Sequence, residues 1–155
     1  MTGSTEKDKR DKGKRYLLIL PCSKRKRNVK TAKAIDLYDG PFYRTLRKHR
    51  PPNLDILIVS AKYGLIRVDD VISPYDQRMT EDRAKELSKT VNRESKRVIR
   101  SHSYEGIMVN LGAMYMALLN DMKYELNKPN VTYAHGMIGE RTSQLRSWLT
   151  QIWAG

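Results

Sequence analysis

Asp55-Ile56-Leu57-Ile58-Val59 is an unbroken apolar run that spills into Ser60-Ala61-Lys62-Tyr63-Gly64-Leu65. A short apolar run bounded by turn residues reads as a strand buried on both faces. Residues 16–20, 106–111 and 130–134 share that pattern. Helical sequence separates the four runs. A first helix is predicted over 42–49, entered through Asp39-Gly40-Pro41. A second starts at Thr80, a good N-cap with Glu81 and Asp82 in its first turn, and runs to about Ser101. A third covers 113–126 and, apolar on most sides, is expected to be buried. The last opens after Gly139, where Leu145, Trp148, Leu149 and Ile152 recur at helical spacing. Buried strands alternating with helices predict one α/β domain over 16–155, a three-layer sandwich with a central, mainly parallel four-stranded sheet.

The chain has 155 residues and a net charge of +13. Residues 1–15 contain almost nothing apolar and are expected to form a disordered basic arm. Cys22 is the single cysteine, so no internal disulfide forms and a reducing, cytoplasmic setting is expected. No run approaches the roughly 18 apolar residues of a membrane span, and a monomer is expected. The positive charge is clustered. Lys24, Arg25, Lys26, Arg27 and Lys30 form one block, and Arg44, Arg47, Lys48 and Arg50 a second. On the second helix, Lys89, Arg93, Lys96, Arg97 and Arg100 fall within about a 100° arc opposite Leu87, Val91 and Val98. Basic clusters of this kind are the footprint of a polyanion binder, and nucleic acid, DNA rather than RNA, is the expected partner.

Parallel topology would bring four loops to one edge of the sheet: 21–30, 60–76, 110–113 and 135–141. Ligands bind at that carboxyl edge in open α/β sheets. The first loop offers Cys22, Ser23 and Lys24. A thiol beside Lys and Arg is a better nucleophile, though no histidine lies near it in sequence and free cysteine is commonly a small buried hydrophobe. The second loop offers Tyr63, Tyr75, Asp69, Asp70 and Asp76, with Tyr38 and, beside it, Asp39 earlier in the chain as a further ring and carboxylate. The third offers Asn110 at a strand–helix joint. The fourth offers His135, Met137, Ile138 and Arg141. Apolar residues on such a loop suit a wedge that replaces a flipped base. The three histidines lie far apart and no cysteine pair exists, so neither metal nor cofactor is expected.

Ser60, Tyr63-Gly64, Asp70, Ile72, Pro74-Tyr75 and Met79 resemble the YaaA-like family and its small relatives. The small relatives are also similar at Pro21-Cys22-Ser23-Lys24, at Asp36-Leu37-Tyr38 with Pro41-Phe42, and at Gly139-Glu140-Arg141. That resemblance implies association with DNA. Pro-Cys-Ser followed by Lys is similar to a motif of archaeosine synthases, which modify a tRNA base; the Lys-Pro-Tyr and Ser-x-x-His continuation is missing. A fainter similarity links Gly40-Pro41-Phe42, residues 107–113 and His135-Gly136-Met137 to the uracil-DNA glycosylase superfamily. That superfamily's first-strand motif and its water-activating Asp or Asn are absent here.

Together these features lead to the expectation of a DNA-binding N-glycosylase that flips out and excises a nucleobase. Asp70 is its expected catalytic carboxylate, with Asp39 and His135 as further catalytic candidates. The alternatives are a tRNA or nucleotide base-modifying enzyme using Cys22 and a non-catalytic DNA-binding protein.

Overall fold

The computed structural model describes residues 14–154. Most of the expected arm therefore lies outside the described residues, but Arg15 belongs to the first strand. That strand, β1 (Arg15–Pro21), is apolar on both sides, and Leu17, Leu18, Ile19 and Leu20 are fully buried. It is followed by β2 (Ala32–Lys33), α1 (Ala34–Leu37), α2 (Pro41–His49), β3 (Leu54–Ser60), β4 (Gly64–Arg67) and β5 (Val71–Ile72). Then come α3 (Glu81–Ser101), β6 (Tyr104–Val109), α4 (Ala113–Met116), a 3-10 turn (Ala117–Leu119), α5 (Lys123–Leu126), β7 (Val131–Tyr133) and α6 (Ile138–Ala154).

The central sheet has the order β4-β3-β1-β6-β7. β3, β1, β6 and β7 run parallel, and β4 folds back antiparallel on β3. The sandwich is the expected architecture, with one strand more than expected. The extra strand hides in a segment read as loop: Leu65 and Ile66 alternate in burial after a tight turn. Gly64 makes that turn at φ +81°, where other L residues are strained. A two-stranded ribbon of β2 and β5 sits apart from the main sheet.

Side chains of β1 point alternately to two cores, as the strand period of two requires. Tyr16, Leu18 and Leu20 join Leu46 of α2 and Leu145 and Leu149 of α6. Leu17 and Ile19 join Val91 and Val98 of α3, with Leu118, Leu119 and Leu126. Thr80 caps α3 as expected, its hydroxyl accepting from the Arg83 amide. The helix expected over 113–126 is instead broken into three pieces, and it is not wholly buried, since Tyr124 is 80% exposed. The break is polar. Buried Asn92 of α3 donates to Asn120 Oδ1 at 2.8 Å and accepts from the Asp121 amide at 3.3 Å, which pulls the chain out of helical register.

At the opposite, amino edge one carboxylate clips the three middle strands. Asp55 of β3 accepts from Arg15 of β1 at 2.6 Å and from the Tyr104 hydroxyl of β6 at 2.7 Å. Burial works against the charged carboxylate, but these two donors outweigh it and hold the Asp55 pKa below its ordinary value. A depressed carboxyl stabilises the fold above its unfolded pKa of about 3.9 and loses that contribution as pH falls through the folded value. We expect Asp55→Asn to destabilise the protein by about 1–2 kcal/mol at pH 7. Denaturant titrations should show the difference between variant and wild type closing as pH falls below the ordinary carboxylate range.

Candidate functional site

β3 lies on one side of β1 and β6 on the other, so the chain reverses its progress across the sheet at β1. Such a reversal leaves a crevice outside the carboxyl ends of the two diverging strands. Here that crevice has a volume of about 470 Å³. Cys22, Ser23, Lys24 and Arg25 enter it from the end of β1, and Phe42 and Arg44 from the start of α2. Gly112, Met114 and Tyr115 enter from the joint after β6, and Ile138 and Arg141 from the start of α6. Close approach shapes one corner: a Cβ on Gly40 would fall 2.6 Å from Ser23 Oγ.

Cys22 is half-buried, with its amide donating to Val59 O and its Sγ 3.2 Å from the Tyr115 hydroxyl. Behind it the Tyr75 hydroxyl lies 2.6 Å from that of Tyr38 and 2.9 Å from Ser60 Oγ. Ser60 is fully buried and also accepts from the amides of Lys62 and Tyr63. Burial, and then the neighbouring Cys22, push the Tyr75 and Tyr115 phenols far above the ordinary value. Burial pushes Tyr38 up to about 12. These phenols therefore stay protonated and remain donors. The Lys26 ammonium sits 4.3 Å from the Tyr75 ring centre, and the Tyr63 ring meets Tyr75 edge-on. Burial lowers the Lys26 pKa, while Cys22 and Asp76 work in the other direction.

Arg141 stands over the Phe42 ring at 5.4 Å and lies 3.5 Å from Asn110 Oδ1. Burial lowers its pKa. Asn110 is fully buried, and its amide nitrogen and the Arg141 Nε have no hydrogen-bond partner. Among the described residues, no Asp or Glu lines the crevice.

The expected loops thus converge, but the expected residues do not all meet. Cys22, Ser23, Lys24, Ile138 and Arg141 line the crevice, and Asn110 backs it. Tyr75 lies beside Cys22, and Tyr63 is 38% exposed next to it. Tyr38 is fully buried, so it supports the site and cannot stack a flipped base. Asp70 is exposed and outside the crevice, and its carboxylate accepts from the Arg67 amide at 2.8 Å across a turn. Asp39 is pinned by Arg47 at 2.7 Å and flanked by Arg44 and Arg25. The Arg47 hydrogen bond first, then the charges of the three arginines, hold its pKa down. Asp76 is exposed beside Lys26. His135 is exposed, and Gln144 holds its main chain at both the amide and the carbonyl. Met137 is 79% exposed, and its amide donates to Glu140 of the first turn of α6.

The basic stripe of α3 faces away from the core as expected, but acids accompany it. Lys96 pairs with Asp121, Arg100 with Glu125, and Arg93 and Arg97 with Glu94. Lys89 and Arg27 are exposed. Tyr115, Arg25 and Arg44 are the site residues the sequence reading missed. The two arginines stood in noted basic blocks, whereas Tyr115 reaches Cys22 only through the β6–α4 joint. Among the described residues, no group of three or more His, Cys, Asp or Glu could hold a metal ion. Among them, too, no helix is long and apolar enough to cross a membrane.

DUF6884, a family of unknown function, matches residues 17–149. No curated protein matches. The fold is similar to the crystal structure of AF0587, a protein of unknown function, at TM-score 0.53 and 17% identity. The similarity covers 86% of this chain and 44% of that one, so this chain spans less than half the length of the neighbour. At that identity the likeness concerns the fold alone.

The turn position of Asp70 has a measurable consequence. We expect Asp70→Ala to cost about 0.5–1.5 kcal/mol of stability, the worth of one hydrogen bond. Denaturant unfolding of the variant and the wild type should show the difference.

Proposed function

The chain belongs to the DUF6884 family, and from that premise we propose that it binds a nucleotide unit in the β1–β6 crevice and modifies its base with Cys22 as nucleophile. One observation carries this reading: a cysteine and the cations Lys24, Arg25, Arg44 and Arg141 share a single crevice without an acid, at the reversal of strand order. Cations at a crevice wall suit phosphate, and a planar guanidinium over the Phe42 ring suits a bidentate contact. Tyr63 and Tyr75, with Lys26 and Lys62 over their rings, stand outside the crevice lining.

In the chemical step the Cys22 Sγ forms a bond to an electrophilic carbon of the base while a C=N π bond opens. The thiol proton reaches that nitrogen by way of the Tyr115 hydroxyl, 3.2 Å from the sulfur. The Tyr115 hydroxyl accepts the thiol proton as it passes its own to the nitrogen, and the protonated Tyr75 phenol beside Cys22 stabilises the transient negative charge on the sulfur. The resemblance of Cys22-Ser23-Lys24 to base-modifying synthases agrees with this assignment. The YaaA-like motif residues Ser60 and Tyr75 support it from behind as one hydrogen-bonded unit.

A second reading, base excision from DNA, is favoured by one feature: Met137 and Ile138 are 79% and 53% exposed, and Ile138 lies on the crevice rim. It lacks a carboxylate in the crevice, because Asp70 serves a turn and Asp39 serves three arginines.

Incubation with nucleotides and with oligonucleotides of varied bases, followed by mass spectrometry, decides between the two. We expect a covalent adduct on Cys22, its loss in Cys22→Ala, and nucleotide affinity within about twofold of wild type in that variant. Arg141→Ala should weaken nucleotide binding by about tenfold, the effect of one charge-assisted contact. Alkali-labile abasic sites produced equally by wild type and Cys22→Ala would replace modification with excision.

A further inference from the structure

The crevice does not end at its own rim. Pro41 and Arg44 line both the crevice and a second cavity of about 500 Å³ between α2 and α6. Lys48 and His49 line that cavity and a third of about 520 Å³ further along the same helix pair. The three are thus joined through shared walls. Arg146 of α6 faces Lys48 across the middle section, and Trp153 closes the far end. Among the described residues, no Asp or Glu lines any of the three.

Two cations of this track differ from those of the α3 stripe. The α3 cations lie beside Glu94, Asp121 and Glu125. In the track, Arg25 and Arg44 lie by Asp39 and Arg50 pairs with Asp69, whereas Lys48 and Arg146 form no ion pair among the described residues, and both are exposed. A cationic groove ending in an aromatic ring is the arrangement that follows a phosphate backbone and stacks a base. Trp153 is 62% exposed, whereas Trp148, five residues earlier, is buried against Tyr16. A buried core explains Trp148 and leaves the exposure of Trp153 without a packing reason.

We propose that the α2–α6 groove carries a single strand of nucleic acid that leads into the β1–β6 crevice, with Lys48 and Arg146 on phosphates and Trp153 stacked on a base. This builds on the nucleotide reading of the crevice and assigns its substrate class: a nucleotide within a single-stranded polymer. The groove runs the length of α2, whose nine residues span about 13 Å, so more than one nucleotide is engaged outside the crevice.

The test uses the full chain and fluorescence titration with oligo-dA and oligo-rA probes of about 12 nucleotides, within the site sizes typical of single-strand grooves. Binding should quench the exposed tryptophan, and one or both probes should bind at least about tenfold tighter than AMP. The double variant Lys48→Glu with Arg146→Glu should lose about tenfold or more in affinity. Its salt slope should drop by about 1.4, the share of two phosphate contacts on a single strand. Trp153→Ala should weaken binding by about tenfold. The matched α3 variant, Lys89→Glu with Arg93→Glu, should change affinity less than about threefold. All the substituted side chains are exposed, and melting temperatures confirm folding.

The proposal is overturned if both groove variants bind like wild type, if the α3 variant produces the loss, or if the corresponding duplex competes better than the single strand. AMP separates this outcome from failure of the crevice reading. AMP binding that is lost in Arg141→Ala, together with silent groove variants, removes the track and leaves the crevice reading intact. Loss of oligonucleotide binding in the groove variants, with AMP affinity unaffected by Arg141→Ala, keeps the track and removes the crevice assignment.

Discussion

Burial of β1 on both faces is the constraint on which the rest of the structure depends. Four consecutive apolar residues, Leu17 to Leu20, are removed completely from water. Each buried side chain of that size is worth about 1.5–3 kcal/mol relative to exposure, and no single layer of helices could cover both sets. One face therefore needs α2 and α6, and the other needs α3 with the short helices after β6. A strand covered on two faces must also be flanked on both edges, because its backbone has no water to bond. β3 and β6 supply those edges from opposite sides. The order reversal, and with it the crevice, follows from the need to surround one strand.

Placement of the acids gives the crevice its character. Asp39 lies at its approach, but its carboxylate is occupied by Arg47, with Arg44 and Arg25 close by. It holds cations in place and leaves them net positive. Asp55 works at the opposite edge of the sheet, where it joins three strands. Among the described residues, the crevice lining is left with Lys, Arg, a thiol and the protonated Tyr115 phenol. That set favours an anion beside an electrophile, which is why the function argued here rests on Cys22 and the arginines and gives no chemical role to a carboxylate.

The elements legible in the sequence were those whose signal is local. The apolar runs of β1, β3 and β6, the Thr80 cap and the i, i+3, i+4, i+7 stripe of α6 each depend on neighbours a few residues away. β4 was not legible, because a strand of four residues after a tight turn looks like the loop that the turn begins. The break after Met116 was not legible either, since its cause is Asn92, a residue on another helix. In the same way, Asp70 between Tyr63-Gly64 and Pro74-Tyr75 reads as a held acid, and only its contact with the Arg67 amide shows what holds it.

The sequence by itself determined the sandwich, the parallel core, the edge at which the four loops meet and the abundance of cations there. Periodicity, apolar runs and charge counts are properties of neighbouring residues, and they survive without coordinates. Only the tertiary structure decided which cations stand unpaired, that Tyr38 is sealed inside, that Tyr115 reaches Cys22, and that α2 and α6 leave an acid-free groove between them. Those facts depend on which segments the two-sided burial of β1 brings together, and residues far apart in the chain carry no local mark of that meeting.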